Sequence, residues 1–247
     1  MNNSNAQKLN YRKGLKDGLP IGLGYLSVSF AFGVQASILG VPVLLTALIS
    51  MTNLTSAGQL AGLPIIAAAT GGVFVSLILE MIVAQLVINA RYFLMSITLS
   101  QKLDDSFTFG KRLFYSMFIT DEIFAVSASQ KSVNTKYMLG LATLPYFGWA
   151  LGTVLGAVAS NILPTYISDA LGIALYAMFI AIITPPAMKN KGVFLTVFFA
   201  SALSCVLFFI PIFDIVPQGF KIIICAIVSA GIMAYVMPIK EGSKDVS

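Results

Sequence analysis

GLPIGLGYLSVSFAFGVQASILG, Gly18 to Gly40, opens a run from residue 18 to residue 79 that holds no Lys, Arg, Asp or Glu. One helix needs about 20 apolar residues to cross the hydrocarbon core of a bilayer, so the run has room for three crossings. Further uncharged runs cover Tyr137–Ser168, Ala170–Met188, Gly192–Phe213 and Ile222–Ile239. Of the 247 residues 57% are hydrophobic and 10% charged, against roughly 25% charged in a soluble domain. Lipid offers the backbone no hydrogen-bond partners, so the spans are helices or a closed barrel, and continuous apolar runs without period-two alternation exclude the barrel. The fold class is therefore all-α, a polytopic integral membrane protein of about seven to nine helical segments, some of them broken or re-entrant.

The charges order the chain into a polar N-terminus, residues 1–17, a single transmembrane domain, 18–239, and a tail, 240–247. The N-terminus is basic and lacks an apolar core followed by a cleavage site, so no cleaved signal is expected. Lys8, Arg12, Lys13 and Lys16 precede the first span, Lys189 and Lys191 mark a short break, and Lys240 and Lys244 follow the last span. Under the positive-inside rule these regions, both termini included, are cytoplasmic, and localisation is the cell membrane. The breaks carrying Asp169 and Asp214 have no nearby Lys or Arg and read as outside loops, Asp169 serving with Ser168 as a helix N-cap. One span near Leu15–Leu39 and three between Val41 and Ser100 then bring Lys102, Lys111 and Arg112 inside. With Lys131 and Lys136 also inside, Leu113–Gln130 cannot cross once; it is re-entrant, broken or interfacial.

Pro20, Pro42, Pro64, Pro145, Pro185–Pro186 and Gly71–Gly72 predict kinked or interrupted helices. An internal echo pairs LPIGLGYL from Leu19 with LPYFGWALG from Leu144, as in repeat-built transporters. Gly148, Gly152 and Gly156 recur at intervals of four, with Ser160 after them, and give one helix a face for close packing. Tyr25, Tyr146 and Trp149 read by default as interfacial belts, and Cys205 and Cys225 as packing residues. The net charge of +5 is scattered over short polar breaks and forms no nucleic-acid module. The chain has no histidine and no nucleotide or nucleophile motif, which argues against an enzyme and implies no cofactor or metal.

An ionisable side chain at the bilayer centre costs at least ~2.5 kcal/mol on insertion scales and normally faces a cavity or a partner. The residues in question are Glu80, Arg91, Asp121 and Glu122. Glu80 and Arg91 lie about 16 Å apart on a straight helix and cannot pair; a boundary position for Glu80 and a snorkelling one for Arg91 are the plain alternatives. Asp121 and Glu122 point about 100° apart on a helix and need not share a partner. Gln85 and Asn89 fall on one stripe, as do Thr120 and Ser127 with Ser116 nearby; each stripe lines a route or bonds a neighbouring helix. In SMTNLTSAGQLAG, Ser50 to Gly62, small and amide-bearing residues including Asn53, Ser56 and Gln59 interrupt a span, and an unwound stretch there exposes backbone groups.

Several stretches in this order resemble the AzlC-type branched-chain amino acid permease family, the large subunit of a two-component exporter. They are GLPIGLGYLSVSFAFG from Gly18, Ser50 with AGQ at Ala57–Gln59, NARYFLMS from Asn89, TDE at Thr120–Glu122, and ALYAMFIAIITP from Ala174. Three features depart from the pattern: Asn53–Ser56 replace a more apolar, phenylalanine-containing stretch, Tyr92 stands where histidine is common, and the acidic residue that many relatives carry in the span near Ala174 is missing. The resemblance implies export of leucine, isoleucine and valine, driven by an ion gradient and requiring a small hydrophobic AzlD-type subunit.

On that reading Asp121 or Glu122 faces an aqueous pathway and attracts the substrate ammonium or takes up a coupling proton. Arg91 holds the substrate carboxylate, helped by Asn89, Gln59 and backbone N–H groups near Asn53–Gly58. The alternatives are transport of another small solute or cation, and a scaffold subunit that transports nothing.

Overall fold

The computed structural model describes residues 9–69, 74–213 and 215–237, and these form ten α-helices without a strand. In chain order they are α1 (Tyr11–Ile38), α2 (Val43–Thr52), α3 (Ser56–Ala69), α4 (Phe74–Ser100), α5 (Phe109–Ser116), α6 (Asp121–Ala128), α7 (Thr135–Ala159), α8 (Thr165–Lys189), α9 (Lys191–Phe209) and α10 (Gln218–Val236). Five of them, α1, α4, α7, α8 and α9, contain stretches long and apolar enough to cross a membrane. The protein is an all-α polytopic membrane protein, as the uncharged runs require.

Among the described residues, which stop at Ala69 and resume at Phe74, one of the three crossings expected between Val41 and Ser100 is full length. At 10 and 14 residues, α2 and α3 reach about 15 and 21 Å against a hydrocarbon core of about 30 Å. Only α4 is full length in that region. Leu113–Gln130 is likewise broken, into the short α5 and α6 with a turn between them. Neither interruption falls at a proline. Pro20, Pro64, Pro145 and Pro185–Pro186 all lie inside helices, and Pro42 caps α2. Gly71–Gly72 lie outside the described residues, as does Asp214. Asp169 is no cap, because α8 already begins at Thr165.

The helices sort into two compact units, one running to Leu63 and resuming over Asn89–Leu175, the other Pro64–Ile88 and the chain from Tyr176 on. The frame of the first unit is the pair α1 and α7. Their contacts rise together along both helices: Asn134 Nδ2 donates to the Leu9 carbonyl at one end, and Ser160 and Ser37 hydroxyls meet at 2.6 Å at the other. The two helices are therefore parallel. They approach at backbone distance, because a methyl at Gly18 would stand 2.5 Å from the Leu141 oxygen and one at Gly148 2.5 Å from the Gly22 oxygen. Pro145 removes the N–H that would otherwise take the Leu141 carbonyl, which leaves that oxygen free to face Gly18. Gly14, Gly18 and Gly22 of α1, spaced by four as well, face Tyr137, Leu141 and Leu144 of α7, and Gly148 faces Gly22. Gly140, Gly152 and Gly156 press on Tyr11, Leu26 and Phe30.

Around the starts of this pair Leu99, Phe107, Ile123, Val133, Tyr137, Met138, Leu141 and Ala142 form a buried cluster, and Ile123 seats α6 in it. The second unit has its own core of Ile65, Ala84 and Ile223, and α9 packs on α10. Cys205 is exposed and Cys225 buried, both as free thiols.

Candidate functional site

The two interruptions meet at one level of the first unit. Tyr25 is the fifteenth of the 28 residues of α1, and Trp149 the fifteenth of the 25 of α7, so both lie half-way along the frame. α2 runs down α7, with Ser50 Oγ 2.7 Å from Thr153 Oγ1 and the Tyr146 hydroxyl donating to the Met51 carbonyl at 3.1 Å, and it ends at Asn53. Asn53–Thr55 is non-helical, which confirms the unwound stretch but shortens it; Ser56 and Gly58 already belong to α3. From the other side α6 begins at the same level. Thr120 caps it by accepting from the Ile123 N–H, and the Thr120 hydroxyl lies 2.7 Å from that of Tyr25.

Thr120 supplies the cap, and Asp121 and Glu122 occupy the first turn, where the helix dipole favours negative charge. At the far end Lys102 Nζ donates to the Ala128 carbonyl, so a cation meets the negative end. The adjacent carboxylates diverge as their spacing predicts. Asp121 Oδ2 sits 2.9 Å from Arg91 Nη1, and Glu122 Oε2 accepts from the Tyr25 hydroxyl at 2.5 Å.

From these two carboxylates two chains of contacts lead back to the break after α2. In one, the Tyr25 ring packs edge-on against Trp149 at 5.3 Å, Trp149 Nε1 donates to Gln59 Oε1 at 3.1 Å, and Gln59 Nε2 donates to the Asn53 carbonyl at 2.5 Å. In the other, Arg91 Nη2 donates to the Tyr92 hydroxyl at 3.1 Å, Tyr92 donates to Thr55 Oγ1 at 3.4 Å, and Thr55 donates to Asn89 Oδ1 at 3.0 Å. The Arg91 guanidinium also stands 4.9 Å from the centre of the Tyr92 ring. One buried donor is left over: Arg91 Nε has no acceptor among the described residues. The Arg91 and Asp121 side chains are 41% and 40% exposed, so the pair adds only about 0–1 kcal/mol to stability. Its worth lies in position.

The structure thus gathers Asp121, Glu122, Arg91, Asn89, Gln59, Thr120 and the carbonyl of Asn53, with Ser56 opening α3 beside them. Glu80 belongs to the second unit, on α4, and is 3% exposed, apart from this network. The polar stripe through Ser116 and Ser127 dissolves, since those hydroxyls bond the carbonyls of Leu113 and Ile123 on their own helices. Tyr25, Tyr146 and Trp149 form no interfacial belt. Their mid-helix places could have been counted in the sequence, because belts sit at span ends. Tyr92 and Thr55 gave no such signal. A mostly apolar cleft lined by Leu99, Phe107, Arg112, Tyr115 and Met138 opens beside α5 and reaches Ile119, next to Thr120.

A family model described as AzlC protein matches residues 20–163, which hold every residue of this network. The chain belongs to the AzlC family. It is similar to the inner membrane protein YgaZ of Escherichia coli, 27% identical over 234 residues covering 91% of each chain. It is also similar to an uncharacterized membrane protein of Archaeoglobus fulgidus, 31% identical over 181 residues, 71% of this chain and 75% of that one. No solved structure matches significantly. In this AzlC-family member the matched segment contains α7, α1 from Pro20 on and both helix breaks, the features of a transporter-like membrane protein.

Proposed function

We propose that the chain is a permease for branched-chain amino acids, leucine, isoleucine and valine, acting as an ion-gradient-driven exporter in the cell membrane together with a small hydrophobic AzlD-type subunit. The observation that carries this reading is the Arg91–Asp121 pair, 2.9 Å apart, between two helix breaks half-way along the frame. An amino acid presents one carboxylate and one ammonium, and broken helices offer it backbone groups at membrane depth. Aromatic and aliphatic neighbours, Tyr25, Phe118 and Ile119, suit an aliphatic side chain. Glu122, bonded to Tyr25, is the carboxylate placed to take up a coupling proton.

The shared end of α1 and α7 carries Arg12, Lys13, Lys16 and Lys136, which favours a cytoplasmic N-terminus. The cleft beside α5 is lined by Met138, in the first turn of α7 at that end, and by Arg112, and on this reading it is the substrate's way in from the cytoplasm.

The test is counterflow of radiolabelled leucine into proteoliposomes preloaded with valine, with and without a proton gradient, for the chain alone and with a co-expressed small subunit. Uptake that depends on valine and weakens in Asp121→Asn is expected. Absence of uptake with both subunits present would sink the amino-acid reading.

A further inference from the structure

Two of the five N–H donors of the Arg91 guanidinium have partners in the structure. Nη1 faces Asp121 and Nη2 donates to Tyr92, while Nε–H is buried with no acceptor among the described residues. A guanidinium presents its donors as a fork that fits a carboxylate through two parallel bonds, and an orphaned donor in an otherwise bonded network marks the place of an absent acceptor. Asp121 is also free to leave. Its side chain is 40% exposed, and the start of α6 is held independently by Glu122 and Thr120 on Tyr25.

We infer that Arg91 exchanges carboxylate partners as substrate binds: the substrate carboxylate takes the guanidinium, and the substrate ammonium takes the Asp121 carboxylate that is released. This rests on the permease reading above and adds a rule of selectivity to it. With a zwitterion every charge in the site keeps a partner of opposite sign. An aliphatic monocarboxylate strands Asp121 and an aliphatic amine strands Arg91, and a charge left without a partner at membrane depth is unfavourable. The resting ion pair is thus an internal stand-in for the two ends of an amino acid, and the site rejects compounds that carry only one of them. Asp121→Asn inverts the rule, because a monocarboxylate then balances Arg91 alone.

The experiment measures binding to the purified full chain of leucine, 4-methylpentanoate, which lacks the amino group, and isopentylamine, which lacks the carboxylate. The wild-type protein is expected to bind leucine at least about tenfold tighter than either relative, and Asp121→Asn to lose that preference and gain about tenfold for 4-methylpentanoate. If Asp121→Asn does not yield a monodisperse protein, Arg91→Gln serves with the mirrored expectation, a gain for the amine. Unchanged selectivity in a folded variant overturns the exchange of partners and leaves the permease reading standing. A wild-type protein that binds 4-methylpentanoate as tightly as leucine overturns it too. If the wild type, co-purified with the small subunit, binds none of the three, the permease reading itself falls.

Discussion

The α1–α7 pair and the broken pieces α2/α3 and α5/α6 sit side by side in one unit and are built on opposite terms. The pair is held by backbone packed on backbone at glycines, with no Lys, Arg, Asp or Glu in its middle. The broken pieces are joined to it by side-chain hydrogen bonds, and α6 is joined to α4 by one half-exposed ion pair. Close packing has a single solution, whereas polar bonds between side chains can be traded for bonds to a ligand. The difference separates a frame from the part that can respond.

Four substitutions would break or sharpen that contrast. Gly152→Leu drives a side chain into the Leu26 carbonyl and the Ser29 hydroxyl; a loss of about 3 kcal/mol is expected, seen as a lower melting temperature or as aggregated protein in detergent. Arg91→Gln spares the frame, so exchange should fall about a hundredfold while thermal stability shifts by no more than about 1 kcal/mol. A variant that unfolds instead would show that the pair belongs to the frame. Tyr25→Phe keeps the ring on Trp149 and removes only the hydroxyl held by Glu122, for an expected cost of about 1–2 kcal/mol read from chemical denaturation, with a smaller drop in exchange. Leu151→Ala, on a face of α7 that is 52% exposed, should change both by less than about 0.5 kcal/mol.

Much of this was legible in the sequence because lipid imposes strong rules. Uncharged runs announced the helices, the spacing of Gly148, Gly152 and Gly156 announced a close neighbour, and the lysines on both sides of Leu113–Gln130 announced a segment that does not cross. What stayed hidden depends on which segments meet. Arg91 and Asp121 are thirty positions apart, and nothing local in either helix names the other. Gly14 and Gly18 stand among Lys13, Lys16 and Asp17, where charge masks a packing face. The break after α2 was read within Ser50–Gly62, but its confinement to Asn53–Thr55 was not, because Ser56, Gly58 and the other small residues there enter a helix as readily as they leave one. Tyr25 and Trp149 were misplaced by a default that ignores depth.

The parallel pairing of α1 with α7 also has a consequence for how the chain is made. The residues that join their starting ends, Leu9 and Asn134, are 125 positions apart. At roughly 5–20 residues per second a ribosome needs about 6–25 s to cover that distance. For that interval the first helix rests in the bilayer with its glycine face open to lipid and its partner not yet synthesised. Assembly of the frame therefore waits on translation, and whatever shields that face in the meantime acts early in the life of every molecule.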